Sequence, residues 1–152
     1  MMKNAIITVK GIQGLDGEEE TLELTTEARY GIKDEEILLS YDESEMLGVS
    51  GVKTMLRYKK PDTVILKRSG ALESRLVIQK GKTNSCLYDT GYGELVLDIK
   101  GESLHNALDE NGGGFSMSYS IDVNGKILSK NRIEITVKVI LIYFVINCCR
   151  YE

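Results

Sequence analysis

The sequence predicts an all-β protein that folds as a single closed, antiparallel, up-and-down β-barrel of about eight to ten strands. Three observations support this prediction. Apolar and polar residues alternate through most of the chain, glycine-containing pairs interrupt the alternation, and apolar residues at helical spacing are scarce. Alternation places successive side chains on opposite faces of a strand, and short links make neighbouring strands antiparallel. A long sheet either closes or splits into two layers, so a β-sandwich is the alternative.

The alternation divides the chain into about ten strand segments. The apolar face of one of them carries Leu22, Leu24, Thr26, Ala28 and Tyr30, and that of another carries Phe115, Met117, Tyr119, Ile121 and Val123. The predicted segments are 4–13, 21–31, 35–43, 51–59, 63–68, 73–80, 84–90, 94–108, 114–123 and 126–139. Ser103 to Leu108 has some helical spacing, but Leu104 and Leu108 also fit an alternating strand, which we favour.

Turn-forming pairs separate these segments at Asp16-Gly17, Ser69-Gly70, Lys80-Gly81, Asn111-Gly112 and Asn124-Gly125. Asn-Gly and Asp-Gly readily adopt the positive φ angles that two-residue hairpins require. Asn124-Gly125 is flanked by alternating residues on both sides and is the clearest hairpin in the chain.

The 152 residues are predicted to form one β-barrel domain, 1–138, followed by an apolar C-terminal extension, 139–152. Eight consecutive apolar residues occupy 139–146, too few to span a membrane as a helix, which takes about twenty. The extension has three interpretations: a buried continuation of the last strand, an interface that makes a homodimer, or a non-native addition. The sequence does not choose among them.

Charge and cysteine content narrow the functional classes. The net charge is −4, and no dense cluster of Lys and Arg appears, so we expect no nucleic-acid partner. The first ten residues lack the pattern of a secretory signal, and three cysteines, two of them adjacent, do not suggest a disulfide framework. These observations favour the cytoplasm and predict no membrane association.

No cofactor, metal site or catalytic set is predicted. His105 is the only histidine, and a zinc site needs three or four ligands at suitable spacing. A nucleophile and base made of Cys86 and His105 lacks an orienting third group. An enzyme is therefore the weakest of the functional hypotheses.

Short motifs in residues 46–93 carry a family resemblance. They are Met46-Leu47-Gly48-Val49, Val52-Lys53-Thr54, Arg68-Ser69-Gly70, Ser74-Arg75-Leu76-Val77 with Gly81, and Tyr88-Asp89-Thr90-Gly91-Tyr92-Gly93. In this order they resemble the YwiB-like family of uncharacterised bacterial β-barrel proteins, over roughly residues 4–138. The resemblance implies a calycin-like fold, similar to that of lipocalins, and a bacterial, cytosolic setting, but no activity. Gly91 replaces the proline common in the family, and the family pattern ends near Lys138.

Arg68 is the most informative candidate site residue. It is in phase with Val64 and Leu66, so alternation directs its guanidinium to the apolar side of its strand. A charge there needs a partner or access to water, and a guanidinium fork suits a carboxylate or phosphate. The alternative is a structural role at a strand end, with the side chain bent toward solvent. Tyr58, Tyr88 and Tyr119 are predicted to line a ligand cavity with Arg68, or else to pack in the core.

Two functions follow from these candidates. The first is the binding of a small amphipathic or anionic ligand in the barrel or at its mouth, with Arg68 and nearby tyrosines at the polar end of the ligand. The second is a protein-interaction module with a side-chain-filled barrel and no ligand. A cavity of at least about 300 Å³ beside Arg68 would favour the first, and a solidly packed barrel would favour the second.

Overall fold

The computed structural model describes residues 2–43, 50–71, 73–89 and 92–140. These residues form ten β-strands and no helix. The strands are β1 Lys3–Leu15, β2 Glu18–Lys33, β3 Glu36–Asp42, β4 Val52–Lys59, β5 Thr63–Gly70, β6 Ser74–Gln79, β7 Thr83–Asp89, β8 Glu94–Asp109, β9 Gly112–Val123 and β10 Lys126–Val139. The ten predicted segments correspond to these strands in order, and Ser103 to Leu108 lies within β8, as a strand.

All ten strands belong to one antiparallel sheet with the order β6-β5-β4-β3-β2-β1-β10-β9-β8-β7. The first and last strands pair with each other from Ala5 opposite Val139 to Gly14 opposite Lys130, which brings the two ends of the sheet-forming chain together. The edges of the sheet are therefore β6 and β7. The prediction of an antiparallel meander is confirmed, and a two-layer sandwich is not observed.

The barrel is nearly closed, whereas full closure was predicted. The turn that joins the two edge strands, β6 and β7, is bonded to β8: Gly81 N–H donates to the Gly101 carbonyl, and Gly101 N–H donates to the Lys82 carbonyl. Residue 101 must be glycine because a Cβ there would collide with the Gln79 carbonyl. Strands β6 and β7 are not hydrogen-bonded neighbours and remain the two ends of the sheet.

Two irregularities keep apolar residues on the inside. The register shifts between Gly101 and Ser103 in β8, and again between Ile127 and Ser129 in β10. In β8 the buried side chains therefore change from odd positions, Leu97 and Ile99, to even ones, Leu104 and Leu108. The core extends around the whole barrel, and its largest fully buried side chains include Tyr30, Ile37, Leu56 and Ile99.

Not every hairpin follows the predicted turn chemistry. Asp16-Gly17 and Asn124-Gly125 adopt positive φ angles as predicted. The β2–β3 hairpin turns through Asp34 and Glu35, with φ of 51° and 66°, although neither residue is glycine. Left-handed backbone is unfavourable for residues with a Cβ, so this turn is held by the strands on both sides of it.

The two ends of the barrel are defined by its connections. The mouth end carries the connections that follow β1, β3, β5, β7 and β9, and the base end carries those that follow β2, β4, β6 and β8. At the base end Ile140 N–H continues the β1–β10 ladder by donating to the Asn4 carbonyl. Residues 141–152, most of the predicted extension, lie outside the described residues, as do Met46 to Val49, Thr90 and Gly91. The described part of the chain contains no helix that could cross a bilayer.

Candidate functional site: a polar cluster at the mouth end

Arg68 lies inside the barrel near the mouth end of β5, on the face that alternation predicts. Its Nε donates to Oε2 of Glu43 at 2.7 Å, and the side chains of Arg68 and Glu43 are 25% and 4% exposed. A nearly buried carboxylate is tolerated because the guanidinium compensates its charge. The charge of Arg68 thus has a partner from its own chain.

The partner of Arg68, Glu43, directly follows β3, and Tyr41 of β3 adds a hydrogen bond to the same carboxylate. The Tyr41 hydroxyl donates to Oε1 of Glu43 at 2.8 Å, and Glu43 N–H donates to the Val52 carbonyl. We did not predict either side chain as a site residue. The alternation offered the signal, because Glu43 is in phase with Ile37, Leu39 and Tyr41 on the inward face.

Thr54 lies between these elements. In register it is opposite Tyr41 on one side and Arg68 on the other. It is fully buried, and its Oγ1 has no hydrogen-bond partner among the described residues. A buried hydroxyl without a partner is unfavourable, but Thr54 is not among the residues that line the cavity beside Arg68.

A cavity of about 140 Å³ lies beside the cluster. Tyr41, Glu43, Arg68 and Tyr119 line one side of it. Its remaining walls come from β1, β2 and β10, with apolar side chains such as Val9, Leu22 and Ile133 and the polar side chains Gln13, Glu20, Asn131 and Arg132. Only Nε of Arg68 is hydrogen-bonded within the described part of the chain, so the terminal Nη1 and Nη2 groups are left for another acceptor.

Burial and charge determine the protonation of the cluster. Burial, reinforced by the carboxylate of Glu43, raises the pKa of Tyr41 well above its ordinary value. Burial also raises the pKa of Tyr119, although Arg68 opposes the shift. Burial alone would lower the pKa of Arg68, but the hydrogen bond and charge of Glu43 outweigh it, and the pKa is raised. At neutral pH the site therefore offers a charged guanidinium and protonated hydroxyls.

The predicted site residues do not all converge. Arg68 and Tyr119 share the cavity. Tyr58 points to the base end, where its hydroxyl donates to the Pro61 carbonyl at 2.9 Å and its ring contacts Phe115. Tyr88, near the mouth end of edge strand β7, is 47% exposed and is not among the residues that line the cavity.

The structure separates the two residues that were considered as a nucleophile and base, Cys86 and His105. Cys86 of β7 pairs with Leu97, eight positions before His105 on β8, so the thiol and imidazole are roughly 25 Å apart along the strand. Burial raises the pKa of the Cys86 thiol, which makes it a poorer nucleophile. Within the described ranges no group of three His, Cys, Asp or Glu residues is arranged to hold a metal ion.

Comparison with known proteins identifies relatives of this chain. Residues 7–135 match the family described as "Domain of unknown function (DUF1934)". The chain is 31% identical over 115 residues to the "Uncharacterized beta-barrel protein YwiB" of Bacillus subtilis (strain 168), covering 76% of this chain and 79% of that protein. The crystal structure of the ywiB protein from Bacillus subtilis matches with a TM-score of 0.77 at 26% identity, covering 92% of this chain and 94% of that chain. The resemblance predicted from the motifs is confirmed, and the chain belongs to the DUF1934 family of YwiB-like β-barrel proteins.

Proposed function

We propose that this protein is a binding module that holds the carboxylate or phosphate head of a small ligand at Arg68. The observation that carries the proposal is the cavity beside Arg68, a partly buried guanidinium whose Nη groups have no acceptor among the described residues. A guanidinium edge and protonated tyrosine hydroxyls are donors to the oxygens of such a head group.

The size of the cavity limits what enters it. At about 140 Å³ the cavity does not reach the roughly 300 Å³ that was expected of a pocket enclosing a ligand, so the criterion for a ligand held within the barrel is not met. The rest of the interior is filled by side chains of the core. The proposed ligand therefore places only its head group inside and its body at the mouth, unlike a lipocalin-type ligand enclosed within a barrel.

Glu43 determines the energetics of binding. It already neutralises Arg68, so a bound anion enters a site whose guanidinium is already paired with a carboxylate. Recognition then depends on the free Nη donors and the hydroxyl of Tyr119 more than on net charge. This arrangement favours a small oxygen-rich head group over a simple counterion.

The decisive experiment measures binding of acetate and of inorganic phosphate by isothermal titration calorimetry. Tyr119→Phe removes one cavity hydroxyl without leaving a buried charge, and it should weaken binding of the bound anion about tenfold. Tyr30→Phe is the matched control, because Tyr30 is equally buried but bonds the Asp109 carbonyl at the base end. Failure of the wild-type protein to bind either anion at millimolar concentration, or equal weakening by both variants, would contradict the proposal.

A protein-interaction module is the second candidate function. The side-chain-filled interior favours it, because the one cavity described beside Arg68 is small. This function needs an outer surface and a partner, and the exposed apolar residues at the mouth end offer such a surface.

A further inference from the structure

Exposed apolar residues are concentrated at the mouth end of the barrel. Among the described residues, the large hydrophobic side chains that are exposed are Leu15, Leu22, Met55, Leu87, Tyr88, Tyr92, Leu95, Val96, Ile127 and Leu128. All except Met55 lie at or beside the connections that follow β1, β7 and β9. Scattered exposed apolar residues are normal, but a concentration at one end indicates an interaction surface.

A groove of about 1000 Å³ lies between two hairpins at this end. The β1–β2 hairpin forms one wall with Leu15, Asp16, Glu18 and Glu19, and the β9–β10 hairpin forms the other with Lys126, Ile127 and Lys130. Glu102 and Arg132 also line the groove. One wall is thus predominantly acidic and the other predominantly basic, with apolar side chains on both.

The two walls do not neutralise each other. The ion pairs between described residues join Glu36 to Arg57 and Lys59, Glu43 to Arg68, and Glu134 to Arg132. None of them links the acidic hairpin to the basic one. Opposite charges are therefore held on neighbouring hairpins, where each remains available to a partner across the mouth end.

We propose that the mouth end is the self-association surface of a two-fold symmetric dimer, in which the acidic β1–β2 hairpin of each copy contacts the basic β9–β10 hairpin of the other. A two-fold axis brings the same patch of both copies together, so the patch must be self-complementary. Adjacent hairpins of opposite charge satisfy this condition, and they do so twice in one interface. The exposed apolar residues beside them supply the surface that excludes water.

A charge-exchange experiment tests this arrangement on the full chain. Variant one is Lys126→Glu with Lys130→Glu, and variant two is Glu18→Lys with Glu19→Lys. Each variant alone brings like charges together at both contacts, so its dimer dissociation constant should rise about tenfold or more in sedimentation equilibrium. An equimolar mixture of the two variants restores opposite charges at both contacts and should form a heterodimer with affinity near that of the wild-type protein.

A matched pair of variants tests the apolar part of the surface. Leu128→Lys, at the basic hairpin, should weaken the dimer, whereas Met55→Lys, similarly exposed on the outer face of β4, should not. A monomeric wild-type protein at micromolar concentrations overturns the proposal. So does a dimer unchanged by both charge variants, or a mixture that fails to restore association.

Discussion

The two ends of the barrel use inward-facing tyrosines in different ways. At the base end the hydroxyls of Tyr30 and Tyr58 donate to the carbonyls of Asp109 and Pro61, at 2.6 and 2.9 Å. At the mouth end Tyr41 donates to a carboxylate that is itself paired with a guanidinium. The carbonyls of Asp109 and Pro61 each receive a hydrogen bond from a tyrosine. In the ion pair at the mouth end, only Nε of Arg68 donates to Glu43 among the described residues. The buried hydroxyls of the base end are therefore satisfied by their own chain, whereas the Nη groups of Arg68 at the mouth end have no acceptor among the described residues.

Loss of Arg68 should have the largest effect. Arg68→Ala leaves the carboxylate of Glu43 buried and uncompensated, and we expect the free energy of unfolding to fall by about 3–5 kcal/mol in urea titrations. Arg57→Ala, which breaks a pair on the exposed outer face, should cost at most about 1 kcal/mol. Adding Glu43→Gln to Arg68→Ala should recover part of the loss. If Arg68→Ala and Arg57→Ala lowered the free energy of unfolding equally, the ion pair at the mouth end would contribute no more to stability than the pair on the outer face.

Removal of the negative charge at the mouth should strengthen anion binding. Glu43→Gln leaves Arg68 without a carboxylate partner, so a bound phosphate takes over that role, and its affinity should rise about tenfold by calorimetry. Glu36→Gln, which removes the carboxylate partner of Arg57 on the exposed outer face, serves as the control and should leave phosphate affinity unchanged. Weaker binding to the Glu43 variant would indicate that the carboxylate belongs to the binding site rather than opposing the ligand.

At high pH the free energy of unfolding should depend on Tyr30, the buried tyrosine at the base end. Burial, with a further contribution from the Asp109 carboxylate, raises the pKa of Tyr30 from 10.0 to about 12. Above pH 10 the unfolded state releases the phenolic proton while the folded state retains it. Stability is therefore constant with respect to this group below pH 10 and decreases between about pH 10 and 12. In chemical denaturation across this range, Tyr30→Phe should show a shallower decrease than the wild-type protein.

The smallest effect is expected at the β2–β3 turn of the base end. Glu35→Gly places a residue without a Cβ at a φ of 66°, and we expect a gain of about 0.5–1 kcal/mol in the free energy of unfolding. Leu38→Gly, in β3, is the control, and it should lower the free energy of unfolding because glycine weakens a strand. A loss of stability in Glu35→Gly would mean that this turn is not strained.

Alternation predicted the strands because the period of a strand is a local property. It also directed Arg68 inward correctly, since Val64, Leu66 and Arg68 share one face of β5. It did not identify the partner of Arg68, because Glu43 is twenty-five residues away in sequence and meets it through two intervening strand pairings. Alternation placed both Tyr58 and Tyr119 on the inward face and could not distinguish their roles. In the structure the Tyr58 hydroxyl bonds the Pro61 carbonyl at the base end, whereas Tyr119 lines the cavity at the mouth end.

The sequence alone determined the antiparallel all-β architecture, the approximate limits of its strands and the family to which the chain belongs, since these depend on neighbouring residues and short motifs. Tertiary structure decided which end holds the buried ion pair, how far the barrel closes and which exposed residues gather beside one another. Those features depend on register between distant strands, on the shifts at Gly101 and Ile127, and on the hydrogen bonds between the β6–β7 turn and β8. No local pattern encodes such distances, because they arise only when the whole sheet curls.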